Sequence, residues 1–226
     1  MSDELGVVEP DGPLYRLGRR PDPWAWPDWA YAGADGTFGN RYDDPAASYR
    51  VLYASSQRIG AFVETLARFR PDLTVLAELD QIEGEDEPSA GVPREWLDTR
   101  MIGEAAVRGR FADVGDAGSL AVLRTALAPV AVHYGLSDID AATIRLSAPR
   151  AFTQHVSRFV YERREEDGPF AGVCYRSRLG DEIVNWAVFE PPSQDADPFL
   201  WHTSSSIAAD DPDLVAATDV LGVALI

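Results

Sequence analysis

The sequence predicts a single α+β domain built around a mixed, partly antiparallel sheet. Candidate strands and helices follow one another without the strict alternation that is typical of parallel sheets with crossover helices. The chain has 226 residues, 46% of them hydrophobic and 10% aromatic, which is enough for one large domain with a substantial core. We expect residues 1–13 to form an acidic N-terminal arm and residues 14–226 to form the domain.

In the first half of the chain, the best-defined elements are a strand and the helix that follows it. Residues 49–54 read as a strand, and residues 55–57 supply an N-cap for a helix that runs to about residue 69. Five apolar residues at helical spacing predict its buried face: Ile59, Phe62, Val63, Leu66 and Phe69. The remaining expectations here are a strand at 14–17, an aromatic loop at 19–29, a turn at 33–39, a helix or strand at 73–79 and an acidic loop at 83–88.

The second half of the chain contains two helix candidates. The better one spans residues 149–163, with apolar residues spaced for burial on one face. The other spans residues 119–134, and Pro129 predicts a kink or break in it. Residues 138–144 are expected to be a polar connection into a strand, and residues 190–213 a loop region. Strands are expected within or at 96–105, 111–114, 172–175, 185–189 and 220–226.

Charge and cysteine content exclude several classes of function. The chain carries 37 acidic and 20 basic residues, a net charge of -17, and every basic residue is arginine. A field of this sign repels nucleic acids and anionic membranes. Cys174 is the only cysteine, so an internal disulfide or a cysteine-based metal site is excluded, and the three histidines lack metal-ligand spacing. No signal peptide or membrane span is evident, so we expect a cytoplasmic protein.

Residues 39–69 bring three chemically useful side chains together in the sequence. Arg41 lies in a glycine-flanked turn, Tyr53 lies in the strand that follows, and Glu64 lies on the next helix. A turn, a strand and a helix in close succession predict that these side chains are neighbours in space. A second polar strand end occurs more than a hundred residues later, at Tyr175 and Ser177.

These pieces together resemble the RES family, which is named for its Arg, Glu and Ser. The resemblance rests on NRYDDP, YRVLYASS and AFVETL, on the later strand and turn GVCYRSRLGDEIVNWAVFE, and on the early Leu-Tyr-Arg. It implies that the three named residues are Arg41, Glu64 and Ser177. It also matches Arg16 and Tyr53, and Tyr175 stands in the family's G-[IV]-x-Y-x-S pattern. The chain departs from the family at the RYDDP turn and over residues 80–147, which we cannot match.

The resemblance implies a fold similar to ADP-ribosyltransferases and an activity on NAD+. Members release nicotinamide by hydrolysis or by phosphorolysis, and many are toxins held in check by an antitoxin. Expected partners are therefore NAD+, an antitoxin protein and, in phosphorolysis, inorganic phosphate as co-substrate. No further cofactor and no metal are expected. The oligomeric state stays open from the sequence, and a homodimer is an expectation by association only.

The chemistry of this reaction suits the residues that the resemblance selects. Cleavage of the nicotinamide–ribose bond builds positive charge on the ribose, and Glu64 can stabilise that charge. Arg41 and Arg16 can each grip phosphate oxygens through paired hydrogen bonds. Tyr53 and Tyr175 are the other expected substrate-binding residues, with the Tyr53 ring available for stacking. The Ser177 hydroxyl can orient the nicotinamide amide or the ribose.

Two other functions remain open from the sequence. The same carboxylate and arginine would serve a mono-ADP-ribosyltransferase that uses a macromolecular acceptor. A non-catalytic binding module that keeps the RES fold is the second, and the RYDDP departure motivates it. A serine hydrolase is disfavoured, because Ser177 lacks the flanking glycines of a nucleophile elbow.

Overall fold

A computed structural model describes residues 4–79, 91–146, 148–193 and 197–226. The predicted acidic loop at 83–88 lies outside these residues. The strands are β1 Val7–Val8, β2 Leu14–Arg19, β3 Val51–Ser55, β4 Gly91–Val92, β5 Arg100–Val107, β6 Phe111–Asp113, β7 Arg164–Glu165, β8 Gly168–Pro169, β9 Gly172–Arg176, β10 Val184–Phe189, β11 Phe199–Ser206 and β12 Ala224–Leu225. The α-helices are α1 Arg58–Leu66, α2 Leu73–Leu79, α3 Arg94–Asp98, α4 Ala117–Ala126, α5 Ala128–His133, α6 Ala141–Arg145, α7 Arg150–Glu162 and α8 Pro212–Leu221.

An eight-stranded mixed sheet forms the centre of the domain. Its strand order is β1-β6-β9-β10-β3-β2-β5-β11. The β6–β9 pair is parallel, and the other neighbouring pairs in this sheet are antiparallel. The prediction of one domain with a mixed, partly antiparallel sheet is therefore confirmed.

Two helical layers cover one face of this sheet, and an aromatic loop covers the other. The first layer includes α4, α5 and α7 and packs over β6, β9 and β10. The second includes α1, α3 and α8 and packs over β2 and β5. Side chains of a strand point alternately to opposite faces, so Trp186 and Val188 of β10 face the other side, where Trp24 of the loop is buried. The two layers leave a gap between them above β3, β9 and β10.

Local patterns explain the elements that were predicted correctly. Phe62, Val63 and Leu66 of the predicted apolar stripe are buried in α1, and Phe62 and Leu66 are fully inaccessible. Helix α1 ends at Leu66, before the predicted end at about residue 69, and Phe69 is half-buried in a 3-10 turn that follows. The predicted break at Pro129 is confirmed, because α5 starts immediately before this proline. A proline is tolerated in the first turn of a helix, where its missing N–H needs no partner. Residues 73–79 form a helix. None of the helices in the described ranges has the length and apolar character needed to cross a membrane.

Three secondary-structure expectations are wrong. Residues 138–144 lead into helix α6, because Asp140 caps it by accepting a hydrogen bond from the Thr143 N–H at 2.7 Å. The loop expected at 190–213 contains β11, which pairs with β5 along its length. The strand expected at 220–226 is reduced to Ala224–Leu225, because α8 continues to Leu221.

In the acidic arm expected over residues 1–13, the described part from residue 4 onward contributes to the domain. Val7 and Val8 pair with β6, and Leu5 is buried in the first core layer. Burial of apolar side chains stabilises a segment that its acidic residues alone would leave solvated.

Gly222 ends α8 in a left-handed conformation, with φ at 64°, and a side chain there would meet no other atom within 4 Å. We expect Gly222→Ala to lower the free energy of unfolding by about 1 kcal/mol, because only the backbone conformation is penalised. Urea unfolding followed by circular dichroism measures this. Gly12→Ala is the control, since Gly12 also faces open space but lacks a positive φ. An equal loss of unfolding free energy in both variants would show that the left-handed conformation of Gly222 is not the cause.

Candidate functional site

The gap between the two helical layers contains a small cleft of about 80 Å³. Four of the six predicted site residues line it: Arg16, Tyr53, Glu64 and Tyr175. Arg41 and Ser177 are not among the lining residues. The sheet supplies the floor of the cleft and α1 supplies one wall.

A transverse row of the sheet forms the floor. Tyr175 of β9 lies opposite Asn185 of β10, Asn185 lies opposite Ser55 of β3, and Ser55 lies opposite Tyr15 of β2. Directly opposed residues point to the same face. All four side chains therefore face α1, and all four residues line the cleft.

Glu64 stands at the exposed side of the cleft and is held by Asn185. Asn185 is 2% exposed and donates a hydrogen bond from Nδ2 to Glu64 Oε1 at 2.7 Å. The carboxylate thus has one oxygen fixed from below while the residue remains open to solvent. Burial and the negative charge of Glu64 together raise the pKa of Tyr175 well above its usual value, so this phenol stays protonated.

Sequence reasoning did not identify Asn185 as a site residue. Its signal is a polar side chain at the start of an otherwise apolar strand, Asn185-Trp186-Ala187-Val188-Phe189. Such a residue needs a hydrogen-bond partner when buried, and Glu64 provides it. The two residues are 121 positions apart.

Arg16 fills the space where β2 and β3 diverge. These strands pair at Tyr15 and Ser55. Beyond that point Arg16 Nη1 donates a hydrogen bond to the Tyr53 carbonyl at 2.8 Å, and Arg16 Nε donates one to the Pro23 carbonyl at 2.8 Å. Burial lowers the pKa of Arg16 to about 10, so it remains cationic at neutral pH. No carboxylate in the described residues forms an ion pair with it. Arg16 is therefore an uncompensated positive charge at the cleft.

Tyr53 connects the cleft to the RYDDP turn. Its hydroxyl donates to Asp43 Oδ1 at 2.8 Å and accepts from the Tyr42 N–H at 2.9 Å. Burial and the nearby Asp43 charge raise the pKa of Tyr53 well above its usual value. Because the Tyr53 hydroxyl is hydrogen-bonded to the turn, the ring is the part of this side chain that is available to contact a ligand.

Asp43 organises the turn that carries Arg41. Its Oδ2 accepts from the Asn40 N–H at 2.6 Å and from Asn40 Nδ2 at 3.0 Å. Asp44 accepts from the backbone of Ala46 and Ser48 and pairs with Arg158 at 3.0 Å. Both aspartates of the RYDDP turn are nearly inaccessible. The departure from the family pattern is thus a hydrogen-bonded turn.

Arg41 does not line the cleft itself but contacts Tyr175, which does. Its guanidinium lies 5.2 Å from the centre of the Tyr175 ring and 5.5 Å from that of Tyr42, a cation–π geometry. Nη2 donates to the Ile144 carbonyl. Nε is buried and has no hydrogen-bond partner within the described ranges. Arg41 therefore supports Tyr175 from behind and keeps one donor unused.

Ser177 is 1% exposed and holds the turn between β9 and β10. Its N–H donates to the Ile183 carbonyl at 2.9 Å, and its Oγ accepts from the Leu179 N–H at 2.9 Å. This geometry shapes the strand end that presents Tyr175. The hydroxyl itself does not reach the cleft.

A larger cleft, of about 570 Å³, lies at the other ends of β9 and β10. It contains none of the six predicted site residues. We therefore take the smaller cleft as the candidate site, because it brings together a carboxylate, an uncompensated arginine and three tyrosines.

Comparison with known proteins identifies the family. The RES domain matches residues 13–203 of the chain, a range that includes the section 80–147 left unmatched by the motifs. Among solved structures, a chain of the M. tuberculosis MbcT-MbcA toxin-antitoxin complex is similar, with a TM-score of 0.50 and 14% identity. That similarity covers 96% of this chain and 92% of the other and reflects a shared fold. No curated protein matched the sequence. Because the RES domain matches residues 13–203, which is most of its length, the chain belongs to the RES domain family.

Proposed function

We propose that this RES-domain protein cleaves NAD+ at the nicotinamide–ribose bond. The observation that carries the proposal is the meeting of Glu64, Arg16, Tyr53 and Tyr175 at one cleft, with Glu64 fixed by Asn185. The similarity in fold to a chain of a toxin-antitoxin complex supports a toxin-like role. We extend the proposal to an antitoxin that covers the cleft, and the acidic chain would suit a basic partner.

The proposed reaction breaks the bond between ribose C1′ and the nicotinamide nitrogen. Nicotinamide leaves as a neutral molecule with the bonding electron pair, and positive charge develops on the ribose. Glu64 stabilises that charge from its fixed position. Water or inorganic phosphate then bonds to C1′, and water gives up its proton to solvent. The products are ADP-ribose or its 1″-phosphate.

The remaining cleft residues position the substrate. Arg16 supplies a cation for the pyrophosphate, and the rings of Tyr53 and Tyr175 supply flat surfaces for stacking. The cleft is smaller than the roughly 300–1,000 Å³ of typical ligand pockets. We therefore place the reacting end of NAD+ and its pyrophosphate at the cleft, with the adenosine on the exposed side of Glu64.

The test is to incubate the purified protein with NAD+, with and without phosphate, and to follow nicotinamide by chromatography. Release in both conditions indicates hydrolysis, and release that requires phosphate indicates phosphorolysis. No release in either condition, together with no loss of growth on expression in cells, would exclude the proposal.

A mono-ADP-ribosyltransferase is the second candidate, because the exposed side of Glu64 leaves room for a macromolecular acceptor. NAD+ labelled on the adenylate distinguishes the two. Label that becomes attached to protein or nucleic acid supports the transferase, whereas label that remains in small molecules supports NAD+ degradation.

Asn185→Ala should lower the turnover number for nicotinamide release about tenfold with little change in KM. The variant removes the hydrogen bond that aims Glu64, which acts on the transition state more than on bound substrate. Initial rates over a range of NAD+ concentrations separate the two constants. Ser56→Ala is the control, since it removes the 2.8 Å bond to Trp186 Nε1 outside the cleft. Equal turnover losses in both variants would exclude a positioning role.

A further inference from the structure

The larger cleft, at the opposite ends of β9 and β10 from the candidate site, has the size of a ligand pocket. Its volume of about 570 Å³ lies within the roughly 300–1,000 Å³ that small-molecule sites occupy. It is bounded by the turn between β5 and β6, by the connection from α7 to β9 and by the end of β10. It shares no lining residue with the smaller cleft.

The walls of this cleft are largely apolar and stiff. Tyr161 and Phe189 line it, and their ring centres are 5.5 Å apart in an edge-to-face arrangement. The other neighbour of Tyr161 is Tyr49, whose ring stacks on it at 3.8 Å. Pro191 and Pro198 also line the cleft, and proline fixes its own backbone torsion. A flat ring can lie against such walls with little loss of side-chain freedom.

Two of the six charged residues that line the cleft, Arg110 and Glu190, are already neutralised by the protein. Arg110 pairs with Glu165 at 2.7 Å and lies over the Phe170 ring. Glu190 is bound by Arg50, with a distance of 2.7 Å from Arg50 Nε. These groups are internally satisfied and offer little to a ligand.

Two arginines at the cleft have no such partner. Arg108 and Arg164 both line it, and neither forms an ion pair with a carboxylate of the described residues. Arg164 Nη1 donates to two backbone carbonyls, those of Tyr161 at 2.6 Å and Arg163 at 3.0 Å. Glu9 and Asp197 also line the cleft, and Asp197 accepts from the Phe199 N–H at 2.9 Å. Neither of these carboxylates forms an ion pair within the described residues, so the lining as a whole has no excess of positive charge. An anion is favoured here where it can meet the guanidinium groups of Arg108 and Arg164 directly.

We propose that this cleft binds a flat aromatic anion no larger than a nucleoside monophosphate. The ring lies against Tyr161 and the lining prolines Pro191 and Pro198, and the anionic group is bound by Arg108 and Arg164. A guanidinium binds both phosphate and carboxylate oxygens through parallel hydrogen bonds. This site is separate from the proposed NAD+ chemistry and does not depend on it.

Calorimetric titration of the whole chain with adenosine 5′-monophosphate tests the proposal, with benzoate as the carboxylate counterpart. We expect at least one of these probes to bind, and to bind at least tenfold more tightly than adenosine and inorganic phosphate, which each lack one half of the ligand. The probe that binds identifies the anionic group. Arg108→Gln and Arg164→Gln should each weaken binding at least tenfold, whereas Arg94→Gln, at an exposed position of α3, should not.

Three results would overturn the proposal. The first is no binding of either probe at millimolar concentration. The second is adenosine binding as tightly as its monophosphate in the absence of benzoate binding, because the arginines would then contribute nothing. The third is binding that persists in the double variant Arg108→Gln/Arg164→Gln, which would place the ligand elsewhere. Both arginines are exposed, so circular dichroism should show that these variants remain folded.

Discussion

Glu64→Gln is expected to lower the rate of nicotinamide release from NAD+ at least about 100-fold. The amide keeps the size of the side chain and an oxygen to accept from Asn185, but it removes the negative charge that opposes the cation on the ribose. Loss of one electrostatic group at a transition state typically costs 10²–10³ in rate. Initial-rate measurement of nicotinamide at saturating NAD+ gives the effect directly.

The stability of the Glu64→Gln variant should change little, because Glu64 is exposed and substitutions at such positions are usually within about 0.5 kcal/mol. Glu95→Gln, at an exposed position of α3, is the matched control and should keep the full rate. A Glu64→Gln variant that is folded and turns over NAD+ at a near-normal rate would remove Glu64 from the mechanism.

Asp43→Asn is expected to destabilise the fold by about 2 kcal/mol and to reduce nicotinamide release with it. Asp43 accepts hydrogen bonds on both oxygens, from the Tyr53 hydroxyl on one and from Asn40 on the other. Asparagine has only one acceptor oxygen, so either Tyr53 or Asn40 faces a donor. A buried donor without an acceptor costs roughly 1–3 kcal/mol. Urea unfolding at pH 7 measures the loss.

The pH dependence of this difference provides a second readout. Burial raises the pKa of Asp43 above its ordinary value. The stability that its protonated form contributes is therefore present below the unfolded pKa and lost as the pH rises through the folded value. Asparagine does not titrate, so the gap in unfolding free energy between wild type and Asp43→Asn should widen at pH 4. Asp98→Asn, at an exposed position, should have the same unfolding free energy as wild type at both pH values. A loss of stability there as large as that in Asp43→Asn would contradict the role of Asp43.

The elements that sequence patterns predicted are those whose signal is local. Helices α1 and α7 carry apolar stripes at helical spacing, and most of each stripe is buried. Strand β11 was missed because Thr203 and the three serines after it are typical of loops. Its strand conformation comes from pairing with β5, about a hundred residues earlier. Non-local pairing of this kind leaves no periodic trace in the strand itself.

In the candidate site, too, the sequence predicts individual residues but not the contacts between distant elements. Arg16, Tyr53, Glu64 and Tyr175 could be selected by their place in a family pattern, and the structure brings these four to one cleft. The hydrogen bond from Asn185 to Glu64 was not predictable, because it joins residues on distant elements. Asp43 was read as a departure from the pattern, while its contacts with Tyr53 and Asn40 are visible only in three dimensions.

The order of strands in the sheet has a consequence for synthesis of the protein on the ribosome. Strand β10 lies between β9 and β3, and it carries the asparagine that holds Glu64. Until β10 has left the exit tunnel, β3 lacks its neighbour and Glu64 lacks its support. Pairings over such sequence distances also form slowly. The cleft is therefore not assembled in a nascent chain until β10 has emerged, so the NAD+ cleavage proposed for it can begin only after residues 184–189 have been translated.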